Sequence, residues 1–319
     1  MQQEASVREG ARAGRLPQIK QGSPFSQVWQ TNLEVFQRDR LALVGLIIFA
    51  FFFLIAVLAP VIAPYDPLEV IEEDGVWLGN EKPFWMTEED ESIPFLLGTT
   101  NIGRDIFSQL LYGSQTALLV GFSAAIVVAI IGTTIGLLAG YYGGWVDAVL
   151  MRLADVAFGI PFIPFIIVVS AFLDPSVWNV VIAMSALLWR DTSRVIRSQV
   201  LVIKEQAFVS AARVSGASNR RIIFMYIAPS ILPLTFLYGS LAIGWAILTE
   251  ASVSFLGFSD PDSISWGFML QDAFLSLALT RKAFYWIIPP GFCIMLTVMA
   301  GFFIGRGYEE VLFPRLRRT

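Results

Sequence analysis

Leu41-Ala-Leu-Val-Gly-Leu-Ile-Ile-Phe-Ala-Phe-Phe-Phe-Leu-Ile-Ala-Val-Leu-Ala-Pro-Val-Ile-Ala63 is a run of 23 residues without a single charge. Crossing a bilayer takes about 20 apolar residues, so this stretch reads as a spanning helix. It starts only at residue 41, behind a polar tail with six basic residues. A secretory signal begins nearer the N-terminus and ends at a small-residue cleavage site, so the helix is expected to stay. Five more candidates lie outward from it, at about Thr116–Gly140, Val149–Leu173, Val177–Val200, Ile231–Leu256 and Phe284–Gly305. The fourth of the six is interrupted by Arg190, Asp191 and Arg194, which would sit near one end, where long basic side chains reach the interface. The expected fold is an all-α membrane protein with six transmembrane helices.

Composition agrees. Of 319 residues, 55% are hydrophobic and 15% charged, where a soluble chain carries about 25% charge; mean hydropathy is +0.65. Histidine is absent and Cys293 is the one cysteine. That excludes an intrachain disulfide, a Cys/His metal cluster and any histidine base. No Ser or carboxylate constellation suggests a nucleophile with its base. No catalytic residue, cofactor, metal or nucleic-acid partner is expected.

Six spans put both termini on one side. With that side cytoplasmic, the cytoplasmic segments hold 18 of the 22 Lys and Arg residues, as the positive-inside rule requires. Residues 1–40 form a cytoplasmic tail. Within it Phe25, Val28, Trp29, Leu33 and Phe36 fall near helical spacing, either an interfacial elbow helix or a plain extension of the first span. Residues 64–115 form an extracytoplasmic loop with eleven of the 26 acidic residues, interleaved with Trp77, Phe84 and Trp85. It is either a small ordered cap or a solvated insertion; as a cap it could dock a basic patch or take a divalent cation. Residues 116–305 form the spanning core, including a cytoplasmic segment at 204–230, and 306–319 a second cytoplasmic tail.

Within the core, Gly132, Gly136 and Gly140 recur every four residues, extended upstream by Gly121, Ala125 and Ala129. Such a stripe lets helix backbones approach closely. Gly159, Pro161 and Pro164 predict a break in the third span. Broken helices line cavities in transporters, so Gly159 and Pro161 are candidates for a translocation path. Glu250 is the one carboxylate of the fifth span. It is either a gating or path residue or a hydrogen-bonded strut, because a charge at that depth must face protein or water. Asp147, Arg152 and Asp155 sit at the inner end of the third span, with Arg152 and Asp155 spaced to pair on one helix face. Arg190, Arg194, Arg197 and Lys204 read as positive-inside anchors beside lipid or a partner. Tyr141, Trp145, Trp178 and Trp286 read as interface belts.

The segment between the fourth and fifth spans holds more structure than a connector needs. Ala207–Ala212 and Arg220–Ile227 can each be helical, separated by Ser215-Gly216-Ala217-Ser218. Gly216 marks a turn, and Ser218 or Asn219 suits an N-cap. The run Phe208-Val-Ser-Ala-Ala-Arg-Val-Ser-Gly-Ala-Ser-Asn-Arg-Arg-Ile-Ile-Phe-Met-Tyr-Ile-Ala-Pro229 resembles the EAA loop of ABC-importer permeases. It keeps Ala211, Ala212, Gly216 and Pro229 at the family's spacing. Ser210 stands in place of Glu, Tyr226 of Ile and Ala228 of Leu. Leu97–Ser108, Ala139–Asp147, Met151–Asp155, Glu250–Gly257 and Ser265–Leu270 resemble dipeptide/oligopeptide/nickel permeases, in order and over most of residues 40–315. Within that family the chain looks like the second, C-type permease. The C-terminal Gly305–Arg315 stretch matches less well, with Arg306 and Phe313 where the family often has Asp.

The resemblance implies a type I ABC-importer permease fold in the cell inner membrane. The chain would form half of a translocation path for di- and oligopeptides beside a sibling permease. Two cytoplasmic ATPase subunits and an extracytoplasmic substrate-binding protein would complete the assembly. Ser210, Ala211, Ala212, Gly216, Ala217, Arg220, Arg221 and Pro229 would meet an ATPase. At Ser210 the hydroxyl either caps that helix or marks an interface that differs in detail. No Gly-Lys pair occurs, so the chain has no P-loop of its own. The alternatives are nickel chelates, glutathione or oligosaccharides as cargo, or, in another class, an ATP-independent secondary transporter or channel.

Overall fold

The computed structural model describes residues 36, 39–86, 95–173, 176–258, 260 and 262–312. The elbow-helix expectation falls almost wholly outside them, as do 313–319 and the acidic residues 88–91. The first helix, α1 (Arg40–Ile62), starts at Asp39, whose side chain accepts from the Leu41 N–H at 2.8 Å, satisfying one of the donors a helix start leaves open. Leu43, Ile47, Phe51, Leu54 and Val57 are exposed on one side, while Gly45, Phe49 and Phe52 pack inward on the other. A helix apolar all round belongs in lipid.

The loop after α1 is ordered where it is described. Strands β1 (Glu72–Glu73) and β2 (Val76–Trp77) form an antiparallel hairpin. Asp74 and Gly75 both have positive φ, 53° and 79°, the backbone a two-residue hairpin turn demands and Asp-Gly supplies. Backbone bonds from Asn80 N to Thr100 O (2.8 Å) and Phe84 N to Phe95 O (2.9 Å) stitch this hairpin to the chain ahead of the next helix. Arg281 donates to Asn80 Oδ1 from the far end of the sequence. The ordered cap is therefore what these residues form. Among the described residues no three acidic side chains converge as metal ligands would.

Helix α2 (Ile106–Tyr142) begins ten residues before the expected span. Buried Asp105 caps it, accepting from the Ser108 N–H at 2.8 Å and the Ser108 hydroxyl at 2.6 Å. Burial pushes the Asp105 carboxyl above its ordinary range, and those hydrogen bonds only partly offset it. The third expected span is two helices, α3 (Gly144–Gly159) and α4 (Phe162–Phe172), bent by 83° at the Gly159–Pro161 break. Helix α5 (Val177–Ile203) follows, then the short α6 (Ala207–Val214) and α7 (Asn219–Ile222) and a π-turn at Ile223–Ile227. Helices α8 (Ala228–Phe255), α9 (Trp266–Leu275) and α10 (Phe284–Leu312) complete the order. Helix α9 was not expected. Ser265 caps it through the Phe268 N–H, and buried Trp266 donates to Leu110 O at 3.0 Å, pinning it under α2.

By length and composition α1, α2, the α7–α8 run and α10 can each cross a membrane, and the bent α3–α4 pair adds a fifth. Helix α5 is long enough, at 27 residues and about 40 Å, but its second half carries Arg190, Asp191, Arg194 and Arg197. The glycine stripe lies between α2 and α5. A Cβ at Gly132 would stand 2.7 Å from Thr192 Cβ, at Gly136 2.5 Å from Ser193 O, and at Gly140 2.7 Å from Val200 Cβ. These residues are glycine because the two backbones touch there.

Candidate functional site

The EAA-like segment is a helix, a tight turn and a second helix resting on the end of the bundle. Val209 and Ala212 of α6 face inward, and Val209 packs with Ile203, Ile222, Ile223 and Ile227. Helix α6 stops at Gly216, φ +80°. There Ala217 N donates to Ala212 O at 3.1 Å and Gly216 N to Arg213 O at 3.0 Å. That bond pair defines a Schellman ending, and the left-handed position selects glycine. Ser218 caps α7 through the Arg221 N–H, as the sequence predicts. Asn219 Oδ1 accepts from the Tyr141 hydroxyl at 2.8 Å, tying the turn to the end of α2. The π-turn closes with Ala228 N on Ile223 O, and Pro229, which has no N–H, follows in the first turn of α8.

What remains outward is Phe208, Ser210, Ala211, Arg213, Val214, Arg220 and Arg221, with Ala217 and Pro229 half-buried; Val214 is 89% exposed. Apolar side chains thus stand beside three guanidinium groups on one short exposed motif. Ser210 is not a cap. Gln206 holds the N-cap position of α6, and Ser210 lies within the helix, exposed. It is exposed along with Ala211 and Arg213.

The basic residues of α5 do more than anchor. Arg197 grips Asp147 with two bonds of 2.5 Å, Nε to Oδ1 and Nη2 to Oδ2. Arg194 reaches Asp155 Oδ1 at 2.5 Å. Arg190 donates to Ala157 O, the carbonyl that position 161 would serve in a continuous helix had it an N–H. Pro161 has none, so Arg190 supplies the donor that the break removes. Arg190 and Arg194 also lie over the Phe158 ring, 4.6 and 4.0 Å from its centre, at cation–π distance. Lys204 Nζ closes the series on Gly140 O at 2.9 Å. The expected Arg152–Asp155 pair is only a 4.0 Å approach, because Arg194 holds the same carboxylate more closely. The clasp was legible in principle, since Arg190, Arg194 and Arg197 recur at helical spacing opposite two aspartates eight residues apart.

Beside the break, residues of α2, α4, α5 and α8 line a half-open cavity of about 370 Å³. Phe162, Arg190, Asp191, Tyr238 and Trp245 line it. Gly159 and Pro161 shape it without lining it. Glu250 lies elsewhere, buried, accepting from the Ser254 hydroxyl at 2.6 Å and from the Ser265 hydroxyl at the start of α9. Next to it Gly267 meets the Ala251 carbonyl so closely that no side chain fits. Glu250 thereby links α8 to the start of α9.

The architecture is a bundle of apolar helices with a helix–turn–helix on one end and a broken helix on its flank. The chain belongs to the family of binding-protein-dependent transport system inner membrane components, whose model matches residues 132–318, and it has the type I ABC-importer permease fold. The N-terminal transmembrane domain of oligopeptide transport permease C matches residues 23–81. Among similar proteins, the dipeptide transport system permease protein of Alkalihalophilus pseudofirmus is 35% identical over 91% of this chain and 90% of its own length. The glutathione transport system permease protein of Pectobacterium atrosepticum is 33% identical over 97% and 98%. The oligopeptide transport system permease protein of Bacillus subtilis is 31% identical over 97% and 96%.

Proposed function

We propose that this chain is the C-type permease of an ATP-driven importer of di- and oligopeptides. It lies in the inner membrane with six spans, α5 being one of them, and with both termini cytoplasmic. It forms half of the path beside a sibling permease, and two ATPase subunits hydrolyse ATP beneath it. The observation that carries this reading is the α6–α7 motif, anchored by Val209 and Ala212 yet presenting Phe208, Ala211, Val214 and three arginines outward. On the opposite end, exposed Glu69, Glu72 and Asp74 beside exposed Trp77 and Trp85 suit a basic, partly apolar face of an extracytoplasmic binding protein. The dipeptide and oligopeptide relatives support the peptide cargo. The glutathione relative supports a second one, which competition by glutathione for dipeptide uptake separates.

The test is uptake by the whole assembly in proteoliposomes, with and without ATP. Ala211 is exposed, so Ala211→Arg leaves folding intact and places a bulky charge in the docking face. Uptake is expected to fall at least about tenfold, the effect of one central interface residue. Unchanged uptake, or uptake by the wild type without ATP, overturns the reading.

A further inference from the structure

Asp191 stands at the middle of α5 and its side chain is 58% exposed, while neighbouring Arg190 is only 13% exposed. The two are not a tight pair, since Arg190 Nε lies 3.7 Å from Asp191 Oδ2. Arg190 Nη1 donates to Ala157 O and the guanidinium lies over the Phe158 ring, which leaves Nε alone facing Asp191, at ion-pair distance but without a hydrogen bond. A carboxylate half open on a spanning helix must meet water or a cation, and this one opens into the cavity beside the helix break. Tyr238 and Trp245 supply aromatic walls there, and Phe162 an apolar one. An acidic group between aromatic faces selects a compact organic cation.

We propose that this cavity is a subsite for the α-ammonium group of the passing peptide, with Asp191 as its acceptor. The ammonium is shared by unmodified peptides of any side-chain composition, so one carboxylate serves a broad cargo. A neutral oligosaccharide offers Asp191 only hydroxyl donors and no cation. The subsite rests on the peptide reading above, and its ligand is a group that every unmodified peptide carries.

The experiment uses the complete importer in proteoliposomes and labelled dialanine as the probe. ATP-driven uptake and binding-protein-stimulated ATP hydrolysis are measured together for wild type, Asp191→Asn and Asp191→Glu. Uptake by Asp191→Asn is expected to fall about tenfold, the size of a lost charged hydrogen bond, with stimulated hydrolysis retained. Asp191→Glu, which keeps the charge, restores most of the uptake. Wild-type uptake in Asp191→Asn overturns the subsite. Loss of both hydrolysis and assembly in both variants also overturns it, showing that Asp191 contacts the sibling permease instead. A wild-type complex that hydrolyses ATP but takes up no dialanine breaks the cargo reading itself, before any variant is compared.

Discussion

Helix α5 is held on two sides by opposite means. Toward α2 it lies in a glycine seam, where Thr192, Ser193, Ile196 and Val200 fill the space that side chains on α2 would need. Toward α3 it is held by ions, with Arg190, Arg194 and Arg197 reaching a carbonyl and two aspartates. The seam works through shape and dispersion, which have no second position to relax into. The clasp works through charges that are partly solvated and can exchange partners for water. The difference assigns different mechanical duties. Helices α2 and α5 are joined by close backbone contact, and α3 is joined to α5 through polar contacts of its side chains and one carbonyl. Only Lys204, Glu205 and Gln206 separate α5 from α6, so under the proposed docking a push on α6 would arrive first at this two-sided helix.

The sharpest way to break the comparison is to fill the seam. Gly136→Leu would drive a Cβ to 2.5 Å from Ser193 O and 2.8 Å from Ile196 Cβ. One of those atoms is backbone and cannot turn aside. The expected loss is about 3 kcal/mol, the upper range for overpacking, seen as a lower thermal midpoint of the detergent-solubilised chain. An unchanged midpoint would mean that the seam is looser than its geometry and that shape does not hold α5.

The clasp is tested next at its best-formed pair. Arg197 and Asp147 are 32% and 19% exposed, and their fork of two bonds is the geometry in which Arg and carboxylate bind best. Asp147→Ala leaves the guanidinium half-buried without its acceptor and should cost about 2 kcal/mol. Combining Asp147→Arg with Arg197→Asp should return part of that loss, since the contact is defined by charge and distance. No recovery in the exchanged pair would mean that Asp147 acts through the start of α3, where it lies in the first turn, and not through α5.

The same contrast explains what could be read from the sequence. Local signals were legible. The uncharged run at 41–63 is α1, the four-residue glycine spacing is the seam, Gly159 and Pro161 are the break, and Gly216 with Ser218 punctuates α6 and α7. Each depends on neighbours within one or two helical turns. The Asp74-Gly75 turn was equally local, but the strands beside it are two residues each, too short to show alternation. Contacts distant in sequence stayed hidden. Arg197 finds Asp147 across 50 residues and Arg281 finds Asn80 across 201. Arg152 and Asp155 do pair, at 4.0 Å, as helical spacing allowed, but the nearer cation, Arg194, came from another helix. Helix α9 was missed because a ten-residue helix lacks the length that marks a span. Its anchor, Trp266 on Leu110 O, is again a distant contact.

The smallest effect discriminates most finely. Arg194 and Asp155 are 46% and 48% exposed, so Asp155→Ala should cost only about 0.5 kcal/mol, as exposed ion pairs do. That cost depends on ionic strength. At about 1 M salt the screening length falls to roughly 3 Å, comparable with the contact itself, and wild type and Asp155→Ala should converge in thermal midpoint. The deficit of Gly136→Leu has no charge in it and should persist at every salt concentration. If the Asp155→Ala deficit also persists in high salt, Asp155 contributes by packing its stem beside Phe158 and Arg194, and the clasp extends only as far as Arg197.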